Sequence, residues 1–101
     1  MSLWDVRVSA EARKNRKKVP QGIDELFQLL LKEIELAGPV RSTWPNYSKM
    51  SSNKNCHHCH LQKGKPTYVA VWKVINKQNQ IIKVLYVGTH EGVDYDRICR
   101  D

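Results

Sequence analysis

The segment PTYVAVWKVINKQNQIIKVLYVG, residues 66–88, decides the fold of this 101-residue chain. Tyr, Val, Trp and Ile dominate its two halves, 66–75 and 80–88, and these residues are typical of β-strands. The polar run 76–79 predicts a turn that joins the halves into an antiparallel hairpin. Because apolar residues occupy successive positions in both strands, we expect the hairpin to lie at the centre of a sheet.

A long amphipathic helix is predicted before the hairpin. Pro20 suits its first turn, and Gly38 followed by Pro39 ends it. Between these limits, apolar residues recur at the spacing that places them on one helix face. They are Ile23, Leu26, Phe27, Leu30, Leu31 and Ile34. We expect this face to pack on the hairpin as core.

The N-terminal part adds a strand and a short helix. Trp4, Val6 and Val8 alternate with polar residues, which predicts an opening strand. Ser9 suits the N-cap of a helix from residue 10 to about residue 18. The length of the chain leaves room for one domain, which we expect to span residues 1–101.

The chain is strongly basic, with 17 Lys and Arg residues against 10 Asp and Glu and a formal net charge of +7. Such a charge attracts polyanions, so nucleic acid, an anionic membrane and an acidic protein all fit as partners. The short helix carries a basic run that fits either a solvated face or a polyanion contact. This run contains Arg13, Lys14, Arg16, Lys17 and Lys18.

The N-terminus and the cysteine count both bear on the compartment. Residues 1–5, MSLWD, lack the basic and apolar regions of a signal peptide, and no apolar run approaches the length that spans a bilayer. Three cysteines are an odd number, so we expect reduced thiols and no full disulfide framework. We therefore predict a cytoplasmic protein.

Residues 56–60, CHHCH, form the most conspicuous motif. The motif matches the CxxCH pattern of covalent haem attachment, but that chemistry requires export, which the N-terminus does not support. Zinc would need further ligands, and alternation along a strand would separate the two cysteines. One face would carry Cys56, His58 and His60, and the other His57 and Cys59. We expect neither haem nor metal.

His58 and His60 then share a face directly before Lys63 and Lys65. Imidazole exchanges a proton near neutral pH and lysine offers a positive charge to a phosphate, so these residues suit acid–base chemistry on a phosphodiester. The alternative is that both histidines are hydrogen-bonded surface residues. The sequence leaves both interpretations open.

Residues 39–54, between the long helix and the motif, are rich in Ser, Asn, Pro and Lys. This composition predicts a loop with an irregular edge strand near Tyr47. We expect Trp44 and Tyr47 to anchor the loop against the protein. Stacking of these aromatic rings on a nucleic-acid base is the alternative.

Three stretches resemble the bacterial toxin superfamily of RelE, HigB and ParE. They are CHLQKGKPTYV at 59–69, VWKV at 71–74 and YVGTHE at 86–91. They look like the RelE branch, whose members carry a CHLKKGRPTYV-like segment and a VGTHE-like strand end. The resemblance runs from about residue 4 to residue 95. It implies a RelE-like α+β fold, in which an N-terminal strand and two helices pack on a mainly antiparallel sheet.

The resemblance also implies an activity. Toxins of the RelE branch cut mRNA, often on the ribosome, without a metal or an organic cofactor. A ribose 2′-OH attacks the adjacent phosphate and leaves a cyclic phosphate and a 5′-OH. This chemistry needs a base, an acid and cations that stabilise the charge on the phosphoryl oxygens.

Carried onto this sequence, the resemblance makes His90 a general acid or base and assigns Lys63 and Lys65 to the scissile phosphate. Tyr95 lies near the C-terminal catalytic tyrosine of the family. Glu91 either orients His90 or faces solvent.

His58 and His60 are candidates for the complementary proton transfer. Two departures from the branch stand out, because Val69 replaces an arginine early in the first hairpin strand and Gln62 replaces a lysine. The phosphate-binding role of that arginine would then fall to Lys65 or to another residue. The candidate contacts to RNA are Arg13, Lys17, Lys54 and Arg97.

The partner that the resemblance implies is an antitoxin, commonly a DNA-binding protein that wraps the toxin with an extended or helical segment. An acidic antitoxin fits the net charge of +7, and it would cover the basic cleft or displace the segment that carries Tyr95. Two other classes compete with the nuclease. One is a non-catalytic toxin like the ParE branch, which poisons DNA gyrase, and the other is an RNA-binding module that does not cut. His90 together with Lys63 and Lys65 favours the nuclease.

Overall fold

The secondary structure follows the predicted order and adds elements near the C-terminus. The computed structural model describes residues 3–51 and 53–100. The strands are β1 (Asp5–Val8), β2 (Ser48–Lys49), β3 (Cys56–Gln62), β4 (Tyr68–Asn76) and β5 (Ile81–Thr89). The helices are α1 (Ala10–Arg16), α2 (Gln21–Ala37) and α3 (Tyr95–Cys99), and a short 3₁₀ turn, His90–Gly92, follows β5 directly.

These strands form one sheet with the order β1-β5-β4-β3-β2. The β4–β5 hairpin lies at its centre, as predicted, because β3 pairs with the outer side of β4 and β1 with the outer side of β5. β1 is parallel to β5, whereas the other three pairs are antiparallel. The predicted α+β fold, with a strand and two helices on a mainly antiparallel sheet, is confirmed.

The ends of α1 and α2 are set by local sequence. The Ser9 hydroxyl accepts a 3.0 Å hydrogen bond from the Ala12 amide, which confirms the predicted N-cap. α2 ends at Gly38, whose φ of 94° lies in the left-handed region that favours glycine. Within residues 3–51 and 53–100, no helix combines the length and the apolar character needed to cross a bilayer.

α2 covers one face of the sheet and forms the main core with it. Its predicted apolar stripe is buried at Ile23, Phe27, Leu30 and Ile34. The sheet contributes Cys59, Leu61, Ala70, Trp72, Ile82, Val84 and Val87 to the same cluster. Trp72 also donates from Nε1 to the Pro39 carbonyl at 2.9 Å, which ties the end of α2 to β4.

The loop between α2 and β3 is anchored by its aromatic residues, as predicted. Trp44 and Tyr47 both pack against the main core. Trp44 Nε1 donates to the Glu33 carboxylate at 2.9 Å. Both rings are therefore engaged by the protein itself. The irregular edge strand expected near Tyr47 is β2.

The opposite face of the sheet carries a second buried cluster beneath α3. Its members are Cys56, Val69, Val71, Tyr86, Ile98 and Cys99. The sequence patterns did not predict α3, because five residues are too few to display a helical period.

Cys56 and Cys99 are joined by a disulfide, so the expectation of reduced thiols was wrong for these two residues. Their Cα atoms lie 5.9 Å apart, inside the range that a disulfide bridges. Because 43 residues separate them in sequence, only the folded chain brings them together. Cys59 is the free cysteine of the described chain and is buried on the α2 face.

A bulge in β5 changes which side chains face α3. Val84 and Tyr86 pair with neighbouring residues of β4, so Leu85 is an extra residue in this strand. Val84 before the bulge and Val87 after it both face α2, whereas Tyr86 faces α3. The bulge therefore determines which side chains at the end of β5, just before His90, face α2 and which face α3.

Leu29 and Leu30 provide a matched test of the core face of α2. Leu30 is 1% exposed and Leu29 is 51% exposed. Leu30→Ala should lower the free energy of unfolding by about 2–5 kcal/mol, because it leaves a cavity in the core. Leu29→Ala should change it by less than about 1 kcal/mol. Urea denaturation monitored by circular dichroism measures both, and equal losses would contradict the assigned core face.

Candidate active site

Three imidazole rings and one phenol ring meet on the α3 face of the sheet. The ring centroids of His58 and His60 are 6.3 Å apart, and those of His60 and His90 are 5.8 Å apart. Tyr95 packs edge-on against His58 at 5.2 Å and against His90 at 6.3 Å. These four residues, hereafter the imidazole cluster, come from β3, the 3₁₀ turn and α3.

Alternation along β3 places two histidines in the cluster and removes the third. His57 lies on the face opposite His58 and His60, as predicted. This is the α2 side, where its ring stacks against both the Tyr47 ring and the Trp72 ring at 5.9 Å from each. Its Nδ1 is 2.7 Å from the Tyr47 hydroxyl. Burial, with a smaller effect of the Lys49 charge, lowers the pKa of His57 to about 4. His57 is thus a neutral core histidine outside the cluster.

The edge strand β2 orients His58. Ser48 pairs with His58 across the two strands, and its carbonyl oxygen lies 3.3 Å from Nδ1. The Ser48 hydroxyl lies at the same distance from Nδ1. In the tautomer that donates from Nδ1 to the carbonyl, Nε2 is left to accept a proton. Burial lowers the pKa of His58, the bond to Ser48 opposes this, and the charge of His90 reinforces it.

His60 lies between the other two imidazoles. Asn46 Nδ2 is 3.5 Å from its Nε2, and its Nδ1 is buried without a hydrogen-bond partner within the described part of the chain. Burial lowers the pKa of His60, and the positive charges of His58, His90 and Lys63 lower it further. The ring is therefore neutral at neutral pH and able to accept a proton.

The backbone that carries His90 is held from two sides, although its side chain is exposed. Its amide donates to the Thr67 carbonyl at 2.8 Å, which joins the end of β5 to the start of β4. The Tyr86 hydroxyl donates to the Thr89 carbonyl at 2.8 Å. A Cβ on Gly88 would stand 2.7 Å from this hydroxyl oxygen, so a larger residue at position 88 would force the tyrosine to move.

Tyr95 closes the cluster from α3. Its hydroxyl is buried and has no hydrogen-bond partner among residues 3–51 and 53–100. Burial raises the pKa of Tyr95, with smaller effects of Tyr86 and Cys59 in the same direction. The phenol therefore stays protonated at neutral pH and can donate a hydrogen bond.

Lys63 and Lys65 lie in the exposed turn between β3 and β4. Gly64 has a φ of 141°, a conformation that favours glycine, and Thr67 Oγ1 closes the turn by donating to the Gly64 carbonyl at 2.9 Å. The charge of Lys63 reaches His60, whose pKa it lowers. Because Thr67 also accepts the His90 amide, this turn and the cluster share one end of β4.

The four predicted RNA contacts are not gathered at the cluster. Arg13 and Lys17 line a cleft of about 580 Å³ between α1 and α2, and Lys54 is exposed in the turn before β3. Arg97 is engaged by Glu11 of α1, with 3.0 Å between Nη2 and Oε2. These residues are dispersed over the surface.

The other positions that the sequence singled out differ in how deeply they are buried. Lys18 of the basic run lines a small cavity of about 150 Å³ together with Thr89, the residue before His90. Val69 is fully buried opposite His60 on β4, so that position offers no phosphate contact. Gln62 and Glu91 are exposed.

Ser48 and Tyr86 are supporting residues that sequence reasoning missed. Ser48 reaches His58 through strand pairing, which no local pattern encodes. Tyr86 lies inside the YVGTHE stretch, and Gly88 two residues later was the available signal of a close contact.

The site can perform acid–base chemistry and stabilise negative charge. Neutral imidazoles accept protons, the Tyr95 phenol can donate a hydrogen bond, and the positive charge of Lys63 reaches His60. Within the described ranges, no group of three or more His, Cys, Asp or Glu side chains is arranged to hold a metal ion.

Several solved structures share this architecture. A mutant of the E. coli toxin RelE in the free state superposes with a TM-score of 0.75 at 17% identity, over 97% of this chain and 95% of that chain. The archaeal RelE–RelB complex from Pyrococcus horikoshii gives 0.68 at 15% identity, over 90% and 99%. The intact E. coli RelBE toxin–antitoxin complex gives 0.63 at 18% identity, over 84% and 94%.

No protein-family model matches the chain, and no curated protein sequence matches it significantly. At 15–18% identity, the structural likeness is a statement about architecture. The RelE-like fold that the motifs implied is confirmed: this chain has the fold of the RelE toxins.

Proposed function

We propose that this chain is the toxin of a toxin–antitoxin system and that it cleaves mRNA without a metal ion. The observation that carries the proposal is the imidazole cluster, in which the ring centroids of His60 and His90 lie 5.8 Å apart. The charge of Lys63, in the turn that follows β3, reaches His60. The RelE fold and the net charge of +7 support it. The proposed substrate is mRNA on the ribosome, in the cytoplasm.

In the proposed reaction, the 2′-oxygen of a ribose attacks the adjacent phosphorus atom. The bond from phosphorus to the 5′-oxygen of the next nucleotide breaks as the new bond forms. The products are a 2′,3′-cyclic phosphate and a 5′-hydroxyl. A base takes the proton of the 2′-OH, and an acid gives a proton to the leaving 5′-oxygen.

His60 suits the base and His90 suits the acid. Burial and the neighbouring charges lower the pKa of His60, so its ring is neutral before the reaction. His90 is exposed at the rim of the cluster, where the leaving 5′-oxygen would be in reach. His58 is the alternative base in the tautomer that donates from Nδ1 to the Ser48 carbonyl, because Nε2 is then free to accept a proton.

The transition state carries extra negative charge on the phosphoryl oxygens, and cationic side chains stabilise it. We assign this role to Lys63 and Lys65, which lie in the exposed turn between β3 and β4. Tyr95 would donate a hydrogen bond from its protonated phenol. Contacts to the RNA backbone outside the scissile phosphate are assigned to Arg13, Lys17, Lys54 and Arg97.

An acidic antitoxin is the partner that we propose. RelE is bound to RelB in two of the structures that share this fold, and a basic surface favours an acidic partner. The antitoxin would cover the Lys63–Lys65 turn or displace α3. Coexpression with an acidic protein that binds this chain should yield a stable complex that no longer cleaves mRNA, and a complex with full cleavage activity would contradict this assignment.

Removal of the His90 imidazole tests the reaction. His90→Ala should slow cleavage by roughly 10²–10⁴-fold and change RNA binding little, because one proton-transfer group is lost. Primer extension on mRNA incubated with ribosomes and the purified protein measures the cut sites, and end-group analysis identifies the cyclic phosphate. Lys77→Gln is the matched control, since this exposed lysine lies in the turn at the far end of the hairpin.

Two results would contradict the proposed nuclease activity and favour another function. Intact transcripts together with trapped gyrase cleavage complexes would identify a toxin that acts by protein contact. Unchanged RNA affinity and unchanged cell toxicity in His90→Ala would identify a binding module.

The pH dependence should reveal the charge of Lys63. A base must be neutral, and the pKa of His60 lies below the usual 6.5, so the midpoint of the acid limb of kcat/KM should lie below pH 6.5. Lys63→Gln removes a positive charge that lowers this pKa, so the acid limb should move to higher pH. Lys77→Gln should leave the limb in place. A limb that does not move in Lys63→Gln would exclude His60 as the base.

A further inference from the structure

The short helix α3 links the imidazole cluster to the disulfide. Tyr95 at its first residue packs against His58 and His90, with ring centroids 5.2 Å and 6.3 Å away. Cys99 at its last residue is bonded to Cys56, the first residue of β3. Cys56 stands two residues before His58 on the same face of that strand. The covalent bond thus joins the two elements whose side chains meet in the cluster.

α3 depends on tertiary contacts for its position. It has five residues, whereas an isolated helix shorter than about 12 residues is marginal in water. The Cys99 carbonyl accepts hydrogen bonds from Asn53 Nδ2 at 2.8 Å and Lys73 Nζ at 3.3 Å. A surface ion pair joins Arg97 to Glu11. Both of these hydrogen bonds are therefore accepted by Cys99, the disulfide-bonded residue.

We propose that the Cys56–Cys99 disulfide is a redox-sensitive positioning element that holds Tyr95 against His58 and His90. Opening the disulfide leaves the end of α3 to two hydrogen bonds, the exposed Arg97–Glu11 ion pair and the packing of Ile98. Tyr95 then spends less time in contact with the imidazoles. The expected loss of activity rests on the proposed function, whereas the movement of Tyr95 does not.

The redox step is a two-electron thiol–disulfide exchange. A dithiol reductant attacks one sulfur, the Sγ–Sγ bond breaks, each Sγ receives a proton from the reductant, and the reductant closes into its own disulfide. Both cysteines are buried, so attack requires local opening of α3. Cys59 does not compete, because burial, with a smaller effect of Glu33, raises the pKa of its thiol to about 12 and keeps it protonated on the opposite face.

Histidine NMR tests the position of Tyr95 independently of any nuclease activity. The Cε1–H signals of His58 and His90 sense the nearby phenol ring, and they should shift when dithiothreitol opens the disulfide. Cys56→Ser/Cys99→Ser should give the shifted positions without reductant. The Tyr47 ring signals, on the α2 face, should stay in place. Cys59→Ala is the matched control and should keep the oxidised positions and the response to reductant.

The activity test is a mutant cycle that combines the cysteine substitutions with Tyr95→Ala. It is carried out at a temperature at which circular dichroism shows that every variant is folded. Opening the disulfide with Cys56→Ser/Cys99→Ser should reduce kcat by about 10-fold or more, because misplacement of a site residue is costly, and should leave KM nearly unchanged. In a Tyr95→Ala background, the same pair of substitutions should reduce kcat by less than about 2-fold, since no side chain is left to position.

The outcomes separate the two proposals. Equal losses of kcat in both backgrounds, or unchanged His58 and His90 signals after reduction, would overturn the positioning role. Shifted histidine signals in a protein that cleaves no RNA would support the positioning role and reject the nuclease.

Discussion

The alternation of side chains along β4 is the constraint on which the rest of the structure depends. Successive residues of a strand point to opposite faces, so Trp72 enters the core under α2 while Val71 supports the face under α3. β3 and β5 both pair with β4, and the register of these pairs determines which of their side chains face α2 and which face α3. A one-residue slip of β3 would exchange its faces and move His58 and His60 beneath α2.

The same sheet divides the histidines into two chemical environments. His57 packs against the Tyr47 and Trp72 rings and belongs to the core, whereas His58 and His60 reach a half-buried surface. Burial lowers the pKa of both cluster histidines on β3. The charged groups lie in the exposed turn that contains Lys63, where water solvates them. The proton-accepting imidazoles of β3 are thus half-buried, whereas the lysine ammonium group in the following turn is exposed to water.

Tyr95, the fourth member of the imidazole cluster, comes from α3, the shortest of the helices. α3 is too short to be stable in isolation, and its place is fixed by buried apolar residues, by hydrogen bonds to Cys99 and by a disulfide. The hairpin and α2, by contrast, carry long apolar patterns of their own. The site therefore joins a rigid sheet to a segment that is held mainly by contacts with distant residues.

The sequence by itself determined the elements whose periodicity extends over several turns or strand residues. These were α2, the central hairpin and the two faces of residues 56–60, and the motifs added His90 and Tyr95 as candidates beside His58 and His60. Only the tertiary structure decided α3, the bulge at Leu85, the Cys56–Cys99 bond and the support of His58 by Ser48. The physical reason is that periodicity reports the environment of neighbouring residues, whereas strand register, bulges and cross-links depend on contacts between residues far apart in the chain.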